Sequence, residues 1–273
     1  MSSTSPATTH KRQPAVFIPH GGGPCFFMDW PDVWDKMAEF LRGFSHTLPQ
    51  KPDALLVVSG HWETETLTVT ASEKPELIYD YYGFPEHTYS LRYPAPGNPA
   101  LATQICSLLK NAGMSATSDP DRGLDHGVFI PFMLAFPDAD IPVVELSLRQ
   151  DLDPAFHIQA GKALAPLRDQ NVLIVSTGMS YHNLRHFMTA NPKTDQDAVA
   201  FDTWLDKAAC LPEAERNNAL IHWEEAPAAR VIHPREEHLL PLMVAAGAAG
   251  ADQGERIYSD TVLGKALSGF RFG

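Results

Sequence analysis

The sequence predicts an α/β fold, a single domain with a largely parallel central sheet flanked by helices on both faces. Short apolar runs alternate along the chain with segments of helical periodicity. Several of those runs are apolar on both sides, as strands must be when helices cover both faces of the sheet. The runs end in glycine, proline and histidine, which mark strands breaking into tight loops. No repeat of fixed period, charge run or Gly/Ser linker marks a second domain.

Ala15-Val-Phe-Ile18 is the first buried strand, closed by Pro19, His20 and Gly21-Gly22-Gly23. After Pro31-Asp32, the residues Trp34, Met37, Phe40, Leu41 and Phe44 recur at helical spacing, and Pro49 and Pro52 stop that helix. Ala54-Leu-Leu-Val-Val58 is a second buried strand, ending in Ser59-Gly60-His61. Leu67-Thr-Val-Thr70 alternates and suits a more exposed strand, whereas Tyr79 to Pro99 is a long loop rich in aromatics and prolines. Asn98-Pro99 caps and starts a helix with Leu101, Ile105, Leu108 and Leu109 on one face and Gly113 as its stop. Ile141 to Leu146 and Val172 to Ser176 are further buried strands, separated by a helix carrying Phe156, Ala160, Ala163 and Leu167. From Asp195 onward the chain reads as mainly helical. A helix over Leu239 to Ala249 should begin close to His238, because Pro241 is tolerated only in a first turn.

Composition narrows the function. Of 273 residues, 44% are hydrophobic, and 33 acids against 21 bases give a net charge of -12, which disfavours phosphate backbones as partners. No apolar stretch approaches the roughly 20 residues needed to span a bilayer. Residues 1–13 read as a disordered polar tail without the hydrophobic region of a secretion signal, leaving 14–273 as the folded domain in the cytoplasm. The three cysteines, Cys25, Cys106 and Cys210, are too few and too far apart for a disulfide framework or a Cys-rich zinc site.

The 12 histidines are the informative residues. Ligands of open α/β sheets bind outside the carboxyl ends of the strands, where loops converge on rigid supports. His20, His61 and His182 each follow a predicted buried strand there. Imidazole is the commonest neutral ligand for transition metals, and single histidines from separate strands suit a catalytic site with open positions. His233-Pro-Arg-Glu-Glu-His238 adds candidates at a loop-to-helix junction, and Arg122-Gly-Leu-Asp-His126-Gly forms a turn able to present His126. Arg92 and Arg149 could hold a substrate carboxylate, although a surface or packing role fits each of them better.

Seven segments together resemble the class III extradiol ring-cleaving dioxygenases, in particular the 4,5-DOPA dioxygenase branch. They are Phe17-Ile-Pro-His-Gly-Gly-Gly-Pro24, Val58-Ser-Gly-His-Trp-Glu63, Tyr79-Asp-Tyr-Tyr-Gly-Phe-Pro85, Leu91-Arg-Tyr-Pro-Ala-Pro-Gly97, Gly123-Leu-Asp-His-Gly127, Tyr181-His-Asn-Leu184 and Glu237-His-Leu-Leu-Pro241. The resemblance implies a mononuclear non-haem iron site with His20 and His61 as ligands and His238 as the third. More distant relatives carry a Glu at that third place, and three neutral imidazoles suit zinc as well as Fe(II). His182 resembles the general base, with a four-histidine site as the alternative, and His126 resembles a second active-site histidine. The implied substrates are dioxygen and a catechol such as 3,4-dihydroxyphenylalanine or a caffeate-like phenylpropanoid. A zinc hydrolase and a non-catalytic metal-binding protein are the competing functions, which dioxygen consumption would separate.

Overall fold

The computed structural model describes residues 11–30 and 32–273. The strands β1 (Ala15–Pro19), β2 (Ala54–Thr64), β3 (Leu67–Thr70), β4 (Ala116–Asp119), β5 (Val143–Arg149), β6 (Val172–Gly178), β7 (Gly254–Val262) and β8 (Lys265–Phe272) form one sheet. Their order is β4-β3-β5-β2-β6-β1-β8-β7. The four central strands, β5-β2-β6-β1, pair in parallel and bring their carboxyl ends to one edge. Antiparallel pairings flank them, β3 on β5 on one side and β8 on β1, then β7 on β8, on the other.

The helices are α1 (Asp35–Phe44), α2 (Pro99–Asn111), α3 (His126–Ala135), α4 (Pro154–Leu164), α5 (Leu184–Phe187), α6 (Pro192–Ala209), α7 (Glu213–Ile221), α8 (Ala229–Ile232) and α9 (Leu240–Ala249). Side-chain caps start several of them: Asn98 accepts from Leu101 N, Asp125 from Gly127 N and Asp153 from Ala155 N. Helix α9 packs on α4 and lies across β6, β1 and β2, while α1 pairs with α3, which also touches β2 and β6. Every residue of β1 and β6 is buried, as is Ala54 to Gly60 of β2, so the predicted doubly covered strands are present.

Four expectations need correction. The C-terminal region is not mainly helical throughout, because β7 and β8 form a hairpin. Its turn residues Leu263 and Gly264 have φ of 50° and 83°, the left-handed pair of a two-residue hairpin turn. β3 is buried along its whole length, since β4, an additional strand, covers its outer edge. His61 lies inside β2 and not beyond its end. Between Val58, opposite Leu146, and Glu63, opposite Leu148, the β2–β5 ladder loses register, and the irregular stretch that re-aims the chain contains His61. Of the expected tail, residues 1–10 lie outside the described residues, but Gln13 is held firmly. Its Nε2 donates to Gln50 O at 3.0 Å and Asn171 Oδ1 at 2.7 Å, and its carbonyl accepts from buried Arg168 at 2.7 Å. Among the described residues no helix is long and apolar enough to cross a membrane.

Candidate metal centre and active site

Five histidines meet over the carboxyl ends of β1, β2 and β6. His20 follows β1 directly, and its backbone N donates to Gly178 O of β6 at 3.2 Å. His61 leaves the sheet from the irregular part of β2. His238 belongs to the turn before α9, which lies on the strand ends because Gly60 and Gly178 carry no side chain. A Cβ on Gly60 would stand 2.9 Å from Glu237 O, and one on Gly178 only 2.2 Å from His238 O. Met179 N then donates to His238 O at 3.0 Å, tying that turn to β6. His126 opens α3, and His182 sits between β6 and α5 with its backbone N donating to Ile232 O at 3.2 Å.

Hydrogen bonds determine where each imidazole keeps its lone pair. A carbonyl or carboxylate oxygen only accepts, so a ring nitrogen touching it must carry the proton. His20 Nδ1 donates to Gly21 O at 2.8 Å and His238 Nδ1 to Glu237 Oε1 at 2.9 Å. His61 Nδ1 lies 3.5 Å from Asp80 Oδ2. The Nε2 atoms of His20 and His238 therefore present lone pairs, and His61 Nε2 lies close to both, 3.3 Å from His20 Nε2 and 3.2 Å from His238 Nε2. Nitrogens bound at 2.0–2.1 Å to a tetrahedral ion stand about 3.3–3.4 Å apart, so the spacing fits a transition metal.

The protonation states suit the same ligand set. Burial, then the neighbouring imidazole of His126, lowers His61 to about 4. Burial and the adjacent imidazoles also bring His20 and His238 well below the usual histidine value, so all three are neutral at pH 7. The other two histidines share carboxylates with this trio. Asp80 Oδ1 accepts from His126 Nδ1 at 2.7 Å, while its other oxygen faces His61. Glu237 Oε1 accepts from both His182 Nδ1 and His238 Nδ1 at 2.9 Å. Burial alone would raise Asp80, but the hydrogen bond and charge of His126 outweigh it and bring Asp80 down to about 2. Glu237 is lowered likewise, its contact with His182 overcoming burial.

Residues 14–267 match the family described as the catalytic LigB subunit of aromatic ring-opening dioxygenase. The chain belongs to this family. It is 40% identical over 235 residues to the 4,5-DOPA dioxygenase extradiol of Beta vulgaris, covering 86% of each chain. It is 35% identical over 271 residues to Dioxygenase tasH of Hapsidospora irregularis, covering 92% of this chain and 82% of the relative. The crystal structure of an uncharacterized protein from Escherichia coli K12 superposes with a TM-score of 0.79 at 29% identity, covering 96% of this chain and 100% of that one. This LigB-family chain is an extradiol ring-cleaving dioxygenase. Enzymes of the family depend on a non-haem metal, and the three facing imidazoles are residues able to hold one.

All five sequence-predicted histidines are thus brought together. His126 lies 4.0 Å from His61 between ring centroids, and His182 stacks on His238 at 3.4 Å. His126 also falls within ligand reach of His20 and His61, but its Nδ1 is engaged by Asp80. His233, the other member of its motif, is buried behind the site with Nε2 against Ser180 O at 3.0 Å. The arginines considered for a carboxylate are engaged elsewhere. Arg149 forks onto Asp151 at 2.8 and 2.5 Å, and Arg92 donates to Tyr79 Oη at 3.0 Å. Sequence reading missed the roles of Asp80 and Glu237. Both stand inside quoted motifs, but their signal was masked, for Asp80 by aromatic neighbours and for Glu237 by its adjacency to the more conspicuous His238.

Proposed function

We propose that this enzyme opens the ring of a catechol with dioxygen at a mononuclear Fe(II) held by His20, His61 and His238, with His182 as general base and His126 as a second active-site histidine. The observation that carries this reading is the meeting of the Nε2 atoms of His20, His61 and His238, with the Nδ1 atoms of His20 and His238 donating back into the protein. The proposed substrate is 3,4-dihydroxyphenylalanine or a caffeate-like catechol, a reading supported by the relatives named 4,5-DOPA dioxygenase. Tyr81, edge-on to His126 at 5.6 Å, gives an aromatic wall beside the site for such a ring. A cytoplasmic location is in keeping with free Cys25, Cys106 and Cys210.

Bound iron supplies a Lewis acid that lowers the proton affinity of catechol oxygens and a redox partner for dioxygen, which zinc cannot be. The protein handles the proton. With Nδ1–H committed to Glu237, His182 keeps its Nε2 lone pair free to accept a proton from a catechol hydroxyl, and Glu237 then stabilises the imidazolium. On the other side, Asp80 accepts from His126 Nδ1 and so holds that ring beside His61. Neutral ligand histidines leave the ion's charge available to the catecholate.

Metal-free protein reconstituted anaerobically with Fe(II) or Zn(II), then given dihydroxyphenylalanine and dioxygen, tests this reading. Dioxygen uptake and a yellow semialdehyde are expected in the iron sample alone. Silence in both samples, with metal bound, would sink the reading, and ester hydrolysis by the zinc form would put a hydrolase in its place.

A further inference from the structure

Behind the histidines lies a second acidic cluster that the proposed chemistry does not use. Glu145 of β5 and Asp125, the cap of α3, are both fully buried, at 0% exposure. They adjoin, with the backbone N of Asp125 3.4 Å from Glu145 Oε2. One cation serves both, Arg122, whose Nη2 is 3.2 Å from Asp125 Oδ2 and 3.9 Å from Glu145 Oε1. Two buried carboxylates in contact with a single guanidinium cannot both ionise without great cost, so one proton must stay with the pair.

The donors show which residue holds that proton. Asp125 Oδ1 accepts from Ser59 Oγ at 2.8 Å and from Gly127 N at 3.0 Å, and Oδ2 accepts from Arg122. Three donors converge on Asp125, as an anion requires. Glu145 receives only a 3.4 Å contact from Asp125 N on Oε2, and its Oε1 has no hydrogen-bond partner. On the neighbouring strand, β3 presents Thr70, whose Oγ1 accepts from Glu145 N at 2.8 Å, while His61 and His126 lie beyond Asp125. Burial first, and then the charge of Asp125, push the Glu145 carboxyl well above the usual range against the pull of Arg122.

Asp125 in turn connects the two halves of the site. Ser59, which donates to it, accepts from His61 N at 3.2 Å, and the backbone N that caps on Asp125 belongs to the residue after His126. We propose that Glu145 is a positioning residue of this dioxygenase, a neutral carboxylic acid that donates its proton to Asp125 and through it fixes the backbone of His61 and the start of α3 at His126. Its effect on turnover rests on the iron-site reading above, but its protonation does not.

Two measurements on the full chain test this. Infrared spectra at neutral pH should contain the carbonyl stretch of a protonated carboxylic acid, lost in Glu145→Gln. That amide can donate as the acid does, so Glu145→Gln should keep wild-type kcat and iron content. Glu145→Leu, which fills the space without a donor, should lose about 10–100-fold in kcat with KM little changed, the scale for a support behind an active-site ligand. Absence of the carboxylic-acid band, or a Glu145→Gln variant as impaired as Glu145→Leu, would overturn the proposal. Should Glu145→Leu fail to fold, the spectrum and the glutamine variant still decide. A wild type that binds iron but does not turn over would count against the catechol reading and leave the infrared result standing.

Discussion

The inner and outer histidines of the site are assembled from similar parts and face different surroundings. His61 brings its Nε2 to 3.3 Å from that of His20 and 3.2 Å from that of His238, in a setting whose burial keeps all three rings uncharged. His126 and His182 lie outside this triangle, and each shares a carboxylate with an inner partner: Asp80 spans His126 and His61, and Glu237 spans His182 and His238. The difference teaches how one imidazole-rich site divides its work. Rings that burial keeps neutral suit a metal, while the two rings outside them, each with Nδ1 on a shared carboxylate, are placed for proton transfer.

The sharpest way to break the comparison is to remove an inner ring. His61→Ala or His20→Ala should abolish ring cleavage, read as dioxygen uptake, and retained turnover would show that the inner triangle is not the metal site. Removing an outer ring should cost less. His182→Ala is expected to lower kcat by about 10²–10⁴-fold, the usual worth of a general base, while the protein keeps its metal. The shared carboxylate should sit lower again. Glu237→Gln preserves shape but removes the charge between His182 and His238, and a loss of about 10–100-fold in activity or metal affinity is expected from steady-state kinetics and metal titration. No change in either would make Glu237 a bystander.

The smallest effect concerns stability in acid. His61 is held at about 4 and His233 at about 3, by burial first and then by the neighbouring imidazoles of His126 and His182 respectively. An unfolded histidine titrates near 6.5. Below that value the unfolded chain binds protons that the folded chain refuses. Stability is therefore intact above about pH 6.5 and declines as pH falls toward the folded values. Urea midpoints of the metal-free protein should fall progressively over that window, and a flat profile would contradict the buried neutral state.

The sequence showed the sheet's centre more clearly than its edges. The runs forming β1, β2, β5 and β6 are largely apolar, and those of β1, β2 and β6 end in Pro or Gly or near His, so their burial and order along the chain could be read directly. β7 and β8 were not legible because their alternating residues follow a long helical region, and the two-residue turn at Leu263-Gly264 is a weak signal by itself. α3 was also hidden. It is buried on nearly every side and contains Pro131, so it shows neither an amphipathic stripe nor an uninterrupted helical pattern. For the site, five histidines were visible as residue types at loop positions or in recognised motifs. Their carboxylate partners were not, because the contacts of Asp80 with His126 and of Glu237 with His182 join residues 46 and 55 positions apart in sequence, which no local pattern records.

The most direct test of the inner-and-outer division is equilibrium binding of Fe(II) under anaerobic conditions to the wild type, His238→Ala and His182→Ala, read as bound metal per chain. One ion in the wild type and in His182→Ala, with none in His238→Ala, is the expected result. Loss of the ion from His182→Ala, or its retention in His238→Ala, would contradict the division and redraw the ligand set.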